Sequence, residues 1–212
     1  MATNTERTER TRSMLISTAR DLIAQDGYAA TSTPMITREA GVSRGALYHH
    51  FVDKAALFRA VIDEEQERVA SVIERVPESD DPVDTLLAAG EAFLDAMRDQ
   101  GSRRLIYVEG PAVLGEQVMR AIDAEHGGRT LAEGIHDAIA AGSLRPMPAA
   151  AMADLLSAAY DRAAAENTPE HREAIRILIS SLRANQEPAR RPPKARSGTT
   201  KKVAARRTAK RP

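Results

Sequence analysis

The sequence predicts an all-α protein, on the strength of three observations. Apolar residues recur every three or four positions through most of the 212 residues, which is the period of a helix. Alanine is abundant, and the alternating β-branched runs that indicate strands are missing. Glycines and prolines stand between the periodic segments, where helices begin or end.

The first predicted helix covers residues 8–26. One face of it is apolar, and Gly27 follows at the position where a left-handed residue would end the helix. The residues of this face are Leu15, Ala19, Leu22 and Ile23.

Two short helices are expected next. Thr33 should cap the second helix, with Pro34 in its first turn, and Gly41 should end it after Ala40. Ser43 should then cap a third helix of similar length. Since only a two-residue turn separates them, these helices have the geometry of a helix-turn-helix, whose second helix enters the major groove of DNA.

The rest of the chain is also predicted to be helical. Asp53 should cap a long amphipathic fourth helix, and Asp81 with Pro82 should begin a fifth that ends at Gly101. Later helices are expected at residues 103–109, 115–141, 148–166 and 169–184.

The third helix has a composition suited to DNA contact. A serine and an arginine stand at its N-terminal end, where base edges are contacted, and a glycine and an alanine allow close approach to the groove. A tyrosine hydroxyl can bond to phosphate, and a histidine projects from the same side. These candidate residues are Ser43, Arg44, Gly45, Ala46, Tyr48 and His49.

Lys54 stands in the first turn of the fourth helix, where a cation opposes the helix macrodipole. A helix N-terminus binds anions through its free N–H groups, so a lysine beside them is expected to complete a phosphate clamp. The alternative is an ordinary solvated lysine.

The segment TSTPMITREAGVSRGALYHHFVDKAALFRAVI resembles the DNA-binding region of the tetracycline-repressor (TetR) family of bacterial transcriptional regulators. Its specific part is the run from Ala40 to Lys54. The resemblance implies that the positions matching the family's DNA contacts are Thr33, Ser43, Arg44, Gly45, Tyr48, His49 and Lys54.

The later segment RLIYVEGPAVLGEQVMRAIDAEHG resembles, more loosely, the C-terminal domain of the same family. This resemblance implies a homodimer formed by the last two helices and a pocket for a small organic effector. Two apolar stripes are candidates for the dimer contact, with plain core packing as the alternative. They are Met152, Leu155, Leu156, Ala159, Tyr160 and Ala163, and Ile175, Leu178, Ile179 and Leu182.

A mixed apolar lining with a few polar groups suits an organic effector, although each such residue could instead be buried core. Glu109 and His126 could orient a ligand or lie at the surface. The candidate effector-binding residues are Phe93, Met97, Leu105, Val108, Val113, Met119, Ile122, Ile135, His136, Ile139 and Tyr160.

Enzymatic function finds no support in the sequence. There is no cysteine, no glycine-rich phosphate loop and no nucleophile elbow. His126 and His136 are nearly three helical turns apart, and His49 and His50 point about 100° apart, so neither pair can share a metal. We expect no catalysis, no cofactor and no metal.

The formal net charge of zero conceals a strong asymmetry. Residues 188–212 contain ten Lys or Arg and no acid, which leaves 20 basic and 30 acidic residues in the other 187. The tail is expected to be disordered and to bind DNA phosphates, and the alternatives are a solubilising tail or one attracted to the acidic body. The polar N-terminus and the lack of a bilayer-length apolar run predict a cytoplasmic protein that contacts no membrane.

Together these features predict three regions: a helix-turn-helix domain at 1–53, a helical effector-binding and dimerisation domain at 54–187, and a disordered basic tail at 188–212. The predicted function is a homodimeric regulator, expected to be a repressor, that binds an inverted-repeat DNA operator and is released by a small organic effector. The alternative is a nucleoid-associated architectural protein dominated by its tail.

Overall fold

The computed structural model describes the backbone of residues 4–184 and the side chains of residues 5–184. Within these residues the protein is helical and contains no strand, which confirms the predicted fold class. Eleven α-helices and one π-helical turn occur in this part of the chain. They are α1 (Asn4–Asp26), α2 (Thr33–Glu39), α3 (Arg44–His50), α4 (Lys54–Glu74), α5 (Pro82–Ala96), α6 (Gln100–Arg104), the π turn (Leu105–Glu109), α7 (Gly110–Leu114), α8 (Glu116–Glu125), α9 (Gly127–Ala140), α10 (Ala149–Glu166) and α11 (Pro169–Ser180).

The first three helices form a small unit against the start of α4. Leu15, Ile36, Leu47 and Phe58 are fully buried and join α1, α2, α3 and α4 in one apolar core. Removing a side chain of this size from such a core costs roughly 2 to 5 kcal/mol. This core therefore fixes the position of α3 relative to the rest of the chain.

Most of the predicted caps are present in the structure. The carboxylate of Asp53 accepts a hydrogen bond from the Ala56 N–H at 2.7 Å and begins α4. Asp81 accepts from the Val83 N–H at 3.0 Å and begins α5. The predicted cap of α2 is wrong by one residue, because Ser32 and not Thr33 accepts the hydrogen bond from Met35 N–H, at 3.4 Å.

The remaining helices pack around the second half of α4. Two predicted boundaries are wrong here. The fifth helix ends at Ala96, and Gly101 lies inside α6, which Asp99 caps through the Ser102 N–H at 2.8 Å. The helix expected over 115–141 is two helices, since the backbone at His126 leaves the helical region (φ −119°, ψ −102°).

An ion-pair cluster joins the N-terminal unit to the remaining helices. Glu65 of α4 is 97% buried or more and bonds to Arg20 of α1 at 3.0 Å and to Arg68 at 2.5 Å. Arg68 also donates to Ser102 of α6 at 2.7 Å, and Asp99 accepts from Arg20 at 3.4 Å. Because α4 packs against helices on both sides, the domain boundary after residue 53 stays a prediction. The predicted tail lies outside the described residues.

Candidate nucleic-acid interface and ligand cavity

The turn between α2 and α3 has the conformation that a helix-turn-helix requires. Gly41 has a φ of 65°, in the left-handed region that favours glycine, and no atom comes within 4 Å of the place a Cβ would occupy. The Val42 N–H donates to the Thr37 carbonyl at 3.0 Å, and the Ser43 hydroxyl accepts from the Ala46 N–H at 3.1 Å. These bonds set the direction in which α3 leaves the turn.

The outer face of α3 carries a basic and aromatic surface. The Arg44 guanidinium lies 5.4 Å from the centre of the Tyr48 ring, which is 43% exposed. Hydrogen bonding with Thr33, and then the nearby Arg44, lower the pKa of Tyr48. Within residues 5–184 no carboxylate pairs with Arg44, so its charge is available to an anionic or acceptor-rich partner.

The other α3 candidates are exposed or half-buried. Ser43, Gly45 and His49 are exposed, and Ala46 is half-buried, whereas Leu47 is fully buried behind them. The structure therefore brings Thr33, Arg44 and Tyr48 into one cluster at the start of α3 and leaves DNA contact by these side chains as a prediction.

Gly45 has room for a side chain in the folded protein. A Cβ built there meets only the Ser43 hydroxyl, at 3.8 Å, which is ordinary van der Waals contact. Glycine in a helix also costs up to about 1 kcal/mol relative to alanine. Since folding does not require glycine at this position, we interpret it as leaving space for the DNA backbone and bases.

Replacing Gly45 by methionine is expected to leave the free energy of unfolding unchanged or to raise it by up to about 1 kcal/mol. It should nevertheless lower DNA affinity at least tenfold, since the new side chain occupies the space between α3 and the groove. Fluorescence anisotropy with DNA selected by the native protein measures this, and A121M, at an exposed alanine of α8, is the control. Native affinity in G45M would contradict the placement of Gly45 against DNA.

Lys54 has hydrogen-bond partners within the chain. Its ammonium donates to the carbonyls of Tyr28 and Thr31, both at 2.8 Å, and lies 3.8 Å from the centre of the Tyr28 ring. Burial lowers the pKa of Lys54. The expectation that an outside anion compensates this cation is therefore corrected. Its partners are carbonyls of the α1–α2 loop, and these bonds hold the segment that leads into α2. A phosphate contact by Lys54 stays a prediction.

A cavity of about 600 Å³ opens in the C-terminal half, a volume suited to a drug-sized ligand. The π turn, α7, α8, α9 and α10 enclose it, with one residue from α4. Its lining residues are Gln66, Ile106, Tyr107, Pro111, Glu116, Met119, Arg120, Asp123, Ala124, Gly128, Arg129, Ala132, Glu133, Ala150, Ala153, Asp154, Ser157, Ala158 and Asp161.

Two half-buried carboxylates face this cavity from opposite helices. Asp161 of α10 accepts a hydrogen bond from the Tyr107 hydroxyl at 3.2 Å, and Asp123 of α8 accepts from the Ser157 hydroxyl at 2.9 Å. Burial, and then the charge of Asp123, raise the pKa of Asp161 to about 6. Burial also raises the pKa of Asp123, against the hydrogen bond from Ser157.

The predicted effector residues are dispersed in the structure. Met119 lines the cavity, and Phe93 and Tyr160 line a smaller pocket of about 60 Å³ that shares Asp123 and Asp161 with it. Others sit within or against the apolar core and line neither space, and the exposed ones lie on the outer sides of their helices. The core members are Met97, Leu105, Val113, Ile122, Ile135 and Ile139, and the outer members are Val108 and His136.

Sequence reasoning missed the polar part of the cavity. Asp154, Ser157 and Asp161 stand at helical spacing on α10, a polar stripe in an alanine-rich helix that was visible in the sequence. Nothing in the pattern placed Tyr107 or Asp123 opposite them. Glu109 is half-buried and also lies away from this cavity: it bonds to Arg104 at 3.2 Å and accepts from the Tyr28 N–H at 3.1 Å.

The last two helices carry an exposed apolar surface. Leu155 of α10 is 65% exposed, and Ile177 and Leu178 of α11 are 60% and 42% exposed. The two predicted stripes prove to be mixed, because their members Leu156, Tyr160, Ala163, Ile175 and Ile179 are buried in the core of the same chain. Of the predicted dimer residues, Leu155 and Leu178 remain open to a partner.

In residues 4–184 no helix is both long and apolar enough to cross a bilayer. In the same span no three histidine or acidic side chains are grouped so as to hold a metal ion.

The fold and the α2–α3 geometry define a helix-turn-helix DNA-binding regulator with a helical C-terminal domain. The pattern of "Bacterial regulatory proteins, tetR family" matches residues 15–61, and that of "Tetracyclin repressor-like, C-terminal domain" matches residues 83–184. Together they cover most of the chain. The protein belongs to the TetR family of bacterial transcriptional regulators, which confirms the resemblance noted in the sequence.

Three proteins illustrate what the chain is similar to. It is 38% identical over 58 residues to the HTH-type transcriptional regulator UidR of Escherichia coli K12, which is 27% of this chain and 30% of UidR. It is 37% identical over 73 residues to the HTH-type transcriptional repressor AcnR of Corynebacterium diphtheriae, which is 34% of this chain and 38% of AcnR. The chain thus matches about a third of the length of these curated relatives. The solved structure of GusR from Salmonella enterica shares 28% identity and a TM-score of 0.65, over 82% of this chain and 95% of GusR.

Proposed function

We propose that the protein is a homodimeric transcriptional repressor that binds an inverted-repeat operator and is released by a small organic effector. The observation that carries the proposal is the outer face of α3, where Arg44 has no carboxylate partner among the described residues and Gly45 leaves an open approach. A bidentate arginine contact to guanine suits this position. Family membership and the repressor named among the relatives support this assignment.

The proposed dimer uses the exposed apolar surface of α10 and α11. A two-fold axis between the protomers would set Leu155, Ile177 and Leu178 against their symmetry mates and remove them from water. It would also place two copies of α3 in successive major grooves, with half-site centres about 34 to 36 Å apart. Operator symmetry follows from protein symmetry in this arrangement.

The effector is proposed to act from the cavity through the π turn. Tyr107 lines the cavity on one side of this turn. Arg104, the last residue of α6, donates to the Gln25 carbonyl at 2.6 Å, and Glu109, the last residue of the π turn, accepts from the Tyr28 N–H. The end of α1 is therefore held by the segment that borders the ligand, and Lys54 links the same loop to α4.

A ligand shifts this equilibrium only by its differential affinity for the DNA-bound and released geometries. An effector that fits the cavity better when the π turn has moved therefore weakens operator binding by that factor. Typical couplings of this kind amount to about 5- to 150-fold.

The distribution of charge supports a role for residues 188–212 on DNA. Residues 1–60 hold eight basic and six acidic residues, whereas residues 61–187 hold 12 basic and 24 acidic ones. The basic tail is proposed to offset this acidic body by neutralising phosphates without reading sequence. A regulator of this kind acts at the chromosome, so we propose a cytoplasmic, nucleoid-associated location. The architectural alternative has no support from the relatives.

Arg44→Ala is expected to weaken operator binding by about 1 to 3 kcal/mol and to relax the base preference at one position of each half-site. Selection of bound fragments from a random DNA library, by native protein and variant in parallel, measures both effects. The control is R98A, at an exposed arginine that follows α5 and lies outside the helix-turn-helix. Failure of the native protein to enrich an inverted repeat would overturn the proposed function, and unchanged base preference in R44A would overturn the role of Arg44.

A further inference from the structure

The charged side chains that line the 600 Å³ cavity are mostly acidic: five carboxylates and two arginines face it. Both arginines already have acidic partners. Arg120 pairs with Glu116 at 3.5 Å, and Arg129 pairs with Glu133 at 3.3 Å and with Glu74 at 3.0 Å. The arginines therefore neutralise the two glutamates of the lining and are not left to bind an anionic ligand.

The other three carboxylates are Asp123, Asp154 and Asp161. Among residues 5–184, no lysine or arginine lies within ion-pair distance of any of them. Their hydrogen-bond donors are neutral hydroxyls, from Ser157 to Asp123 and from Tyr107 to Asp161. The cavity thus contains negative charge that no lysine or arginine of the described residues neutralises. His126 lies near Asp123 and lowers its pKa, but its ring bonds to Asp63 at 3.0 Å and the pKa of Asp123 remains raised by burial.

The polar groups of the cavity differ in their exposure to solvent. Asp154 is exposed, whereas Ser157 and Asp161 are half-buried one and two turns further along α10, and Asp123 faces them from α8. Withdrawing a carboxylate from water without a counter-ion disfavours its charged form, which is why the pKa values of Asp123 and Asp161 are raised. A cation bound between them would offset both the lost hydration and the mutual repulsion.

Apolar side chains line the same cavity. They include Ile106, Met119, Ala132 and Ala153, together with Tyr107. Such walls suit a hydrocarbon body, and an aromatic face attracts a cation. A bare metal ion fits poorly, because no group of three potential ligands is found among the residues that the structure describes.

We propose that the effector is an organic cation, an amine with an apolar body, whose ammonium group lies between Asp123 and Asp161. This inference rests on the proposed function and adds to it the chemical class of the ligand. The ammonium donates to one oxygen of each carboxylate, and the body extends along Ile106 and Met119. Tyr107, which lies in the π turn, then connects the ligand to residues 104–109, the segment that holds the end of α1 through Arg104 and Glu109.

Three probes with one carbon frame test the charge requirement: 4-phenylbutylamine, 4-phenylbutan-1-ol and 4-phenylbutyrate are cationic, neutral and anionic at pH 7.5. Isothermal titration of each into the full-length protein measures affinity. The amine is expected to bind at least tenfold more tightly than the alcohol, and the acid more weakly than either. If the amine shows no advantage over the alcohol, including the case in which none of the three binds, the proposal is overturned.

Single substitutions test whether the carboxylates of Asp161 and Asp123 bind the ammonium group. D161N and D123N are each expected to reduce amine affinity about tenfold and to leave alcohol affinity within twofold, because asparagine keeps the size and the acceptor oxygen. The control D137N removes an exposed carboxylate of α9 that does not line the cavity, and it should bind the amine like the native protein. An equal loss in D137N would mean that overall charge, and not this site, attracts the amine, which overturns the proposal.

Operator binding by the same preparations separates this inference from the proposed function. A protein that enriches an inverted repeat but does not prefer the amine is a regulator whose effector belongs to another chemical class. A protein that prefers the amine but selects no operator retains the cation site and loses the regulatory role.

Discussion

Replacing Leu155 and Leu178 together by glutamate is expected to produce monomers. Their affinity for an operator with two half-sites should fall by a factor of about 100 or more. In the native protein these side chains are 65% and 42% exposed on α10 and α11 of one protomer, where they have no apolar cover. In the proposed dimer each meets its symmetry mate, so the double variant buries four unpaired charges at one interface. A buried charge without a partner costs roughly 3 to 5 kcal/mol. This is enough to separate the protomers at micromolar concentration.

Sedimentation velocity and operator anisotropy on the same samples measure assembly and affinity. Far-ultraviolet circular dichroism should remain that of the native protein, because neither leucine belongs to the buried core. V108E is the matched control, since Val108 is 59% exposed on the π turn and outside the proposed interface. A double variant that remains a folded dimer would show that α10 and α11 do not form the interface.

Local rules predicted the DNA-binding part of the fold well. Ser43 and Asp53 cap their helices through hydrogen bonds to the third residue that follows, and Gly41 adopts the left-handed conformation of the turn. Each of these features depends on a few neighbouring residues. The all-α class likewise follows from helical spacing that is repeated along the chain.

The prediction for Lys54 was incomplete because its partners are distant in sequence. Lys54 lies in the first turn of α4, as predicted, where its charge opposes the helix macrodipole and needs a compensating interaction. The compensating groups are the carbonyls of Tyr28 and Thr31, 26 and 23 residues away. Helical spacing contains no information about such contacts.

The cavity was the least predictable feature for the same physical reason. Apolar residues such as Met97, Leu105 and Ile122 were sensible candidates, but periodicity cannot separate a core face from a cavity wall. At the break at His126, Gly128 packs closely against Asp123, since a Cβ built on it would lie 3.1 Å from the Asp123 carbonyl oxygen, and helical spacing does not reveal this contact. The polar stripe on α10 was readable, and only the packing of α8 and the π turn showed that it faces a cavity.

Asp161→Asn is expected to stabilise the folded protein at pH 8 and to have a smaller effect at pH 4.5. The folded-state pKa of Asp161, about 6, lies above its ordinary value of 3.8, so the folded protein holds this proton more tightly than the unfolded chain. Its favourable contribution is therefore fully present below about pH 4 and is lost as the pH rises through 6. The asparagine variant is free of this loss, and its amide oxygen can still accept the Tyr107 hydroxyl.

A shift of this size corresponds to at most about 3 kcal/mol, and the contact of Asp161 with the open cavity reduces it. We expect the gain in unfolding free energy to be roughly 1 to 2 kcal/mol larger at pH 8 than at pH 4.5. The titratable and charged groups around Asp161 are Tyr107 with Arg103, Asp123 with His126, and Asp154, and all remain in the variant. The comparison therefore reports on Asp161 together with its repulsion of Asp123, which the variant also removes.

Urea denaturation at fixed protein concentration, at pH 4.5 and pH 8, measures the difference, and D137N is the control because its carboxylate is exposed. A gain that is equal at the two pH values would mean that Asp161 is not the titrating group. A loss of stability at pH 8 would mean that the native carboxylate of Asp161 already has a cationic partner in solution. The cavity would then have no uncompensated charge to bind a cationic ligand.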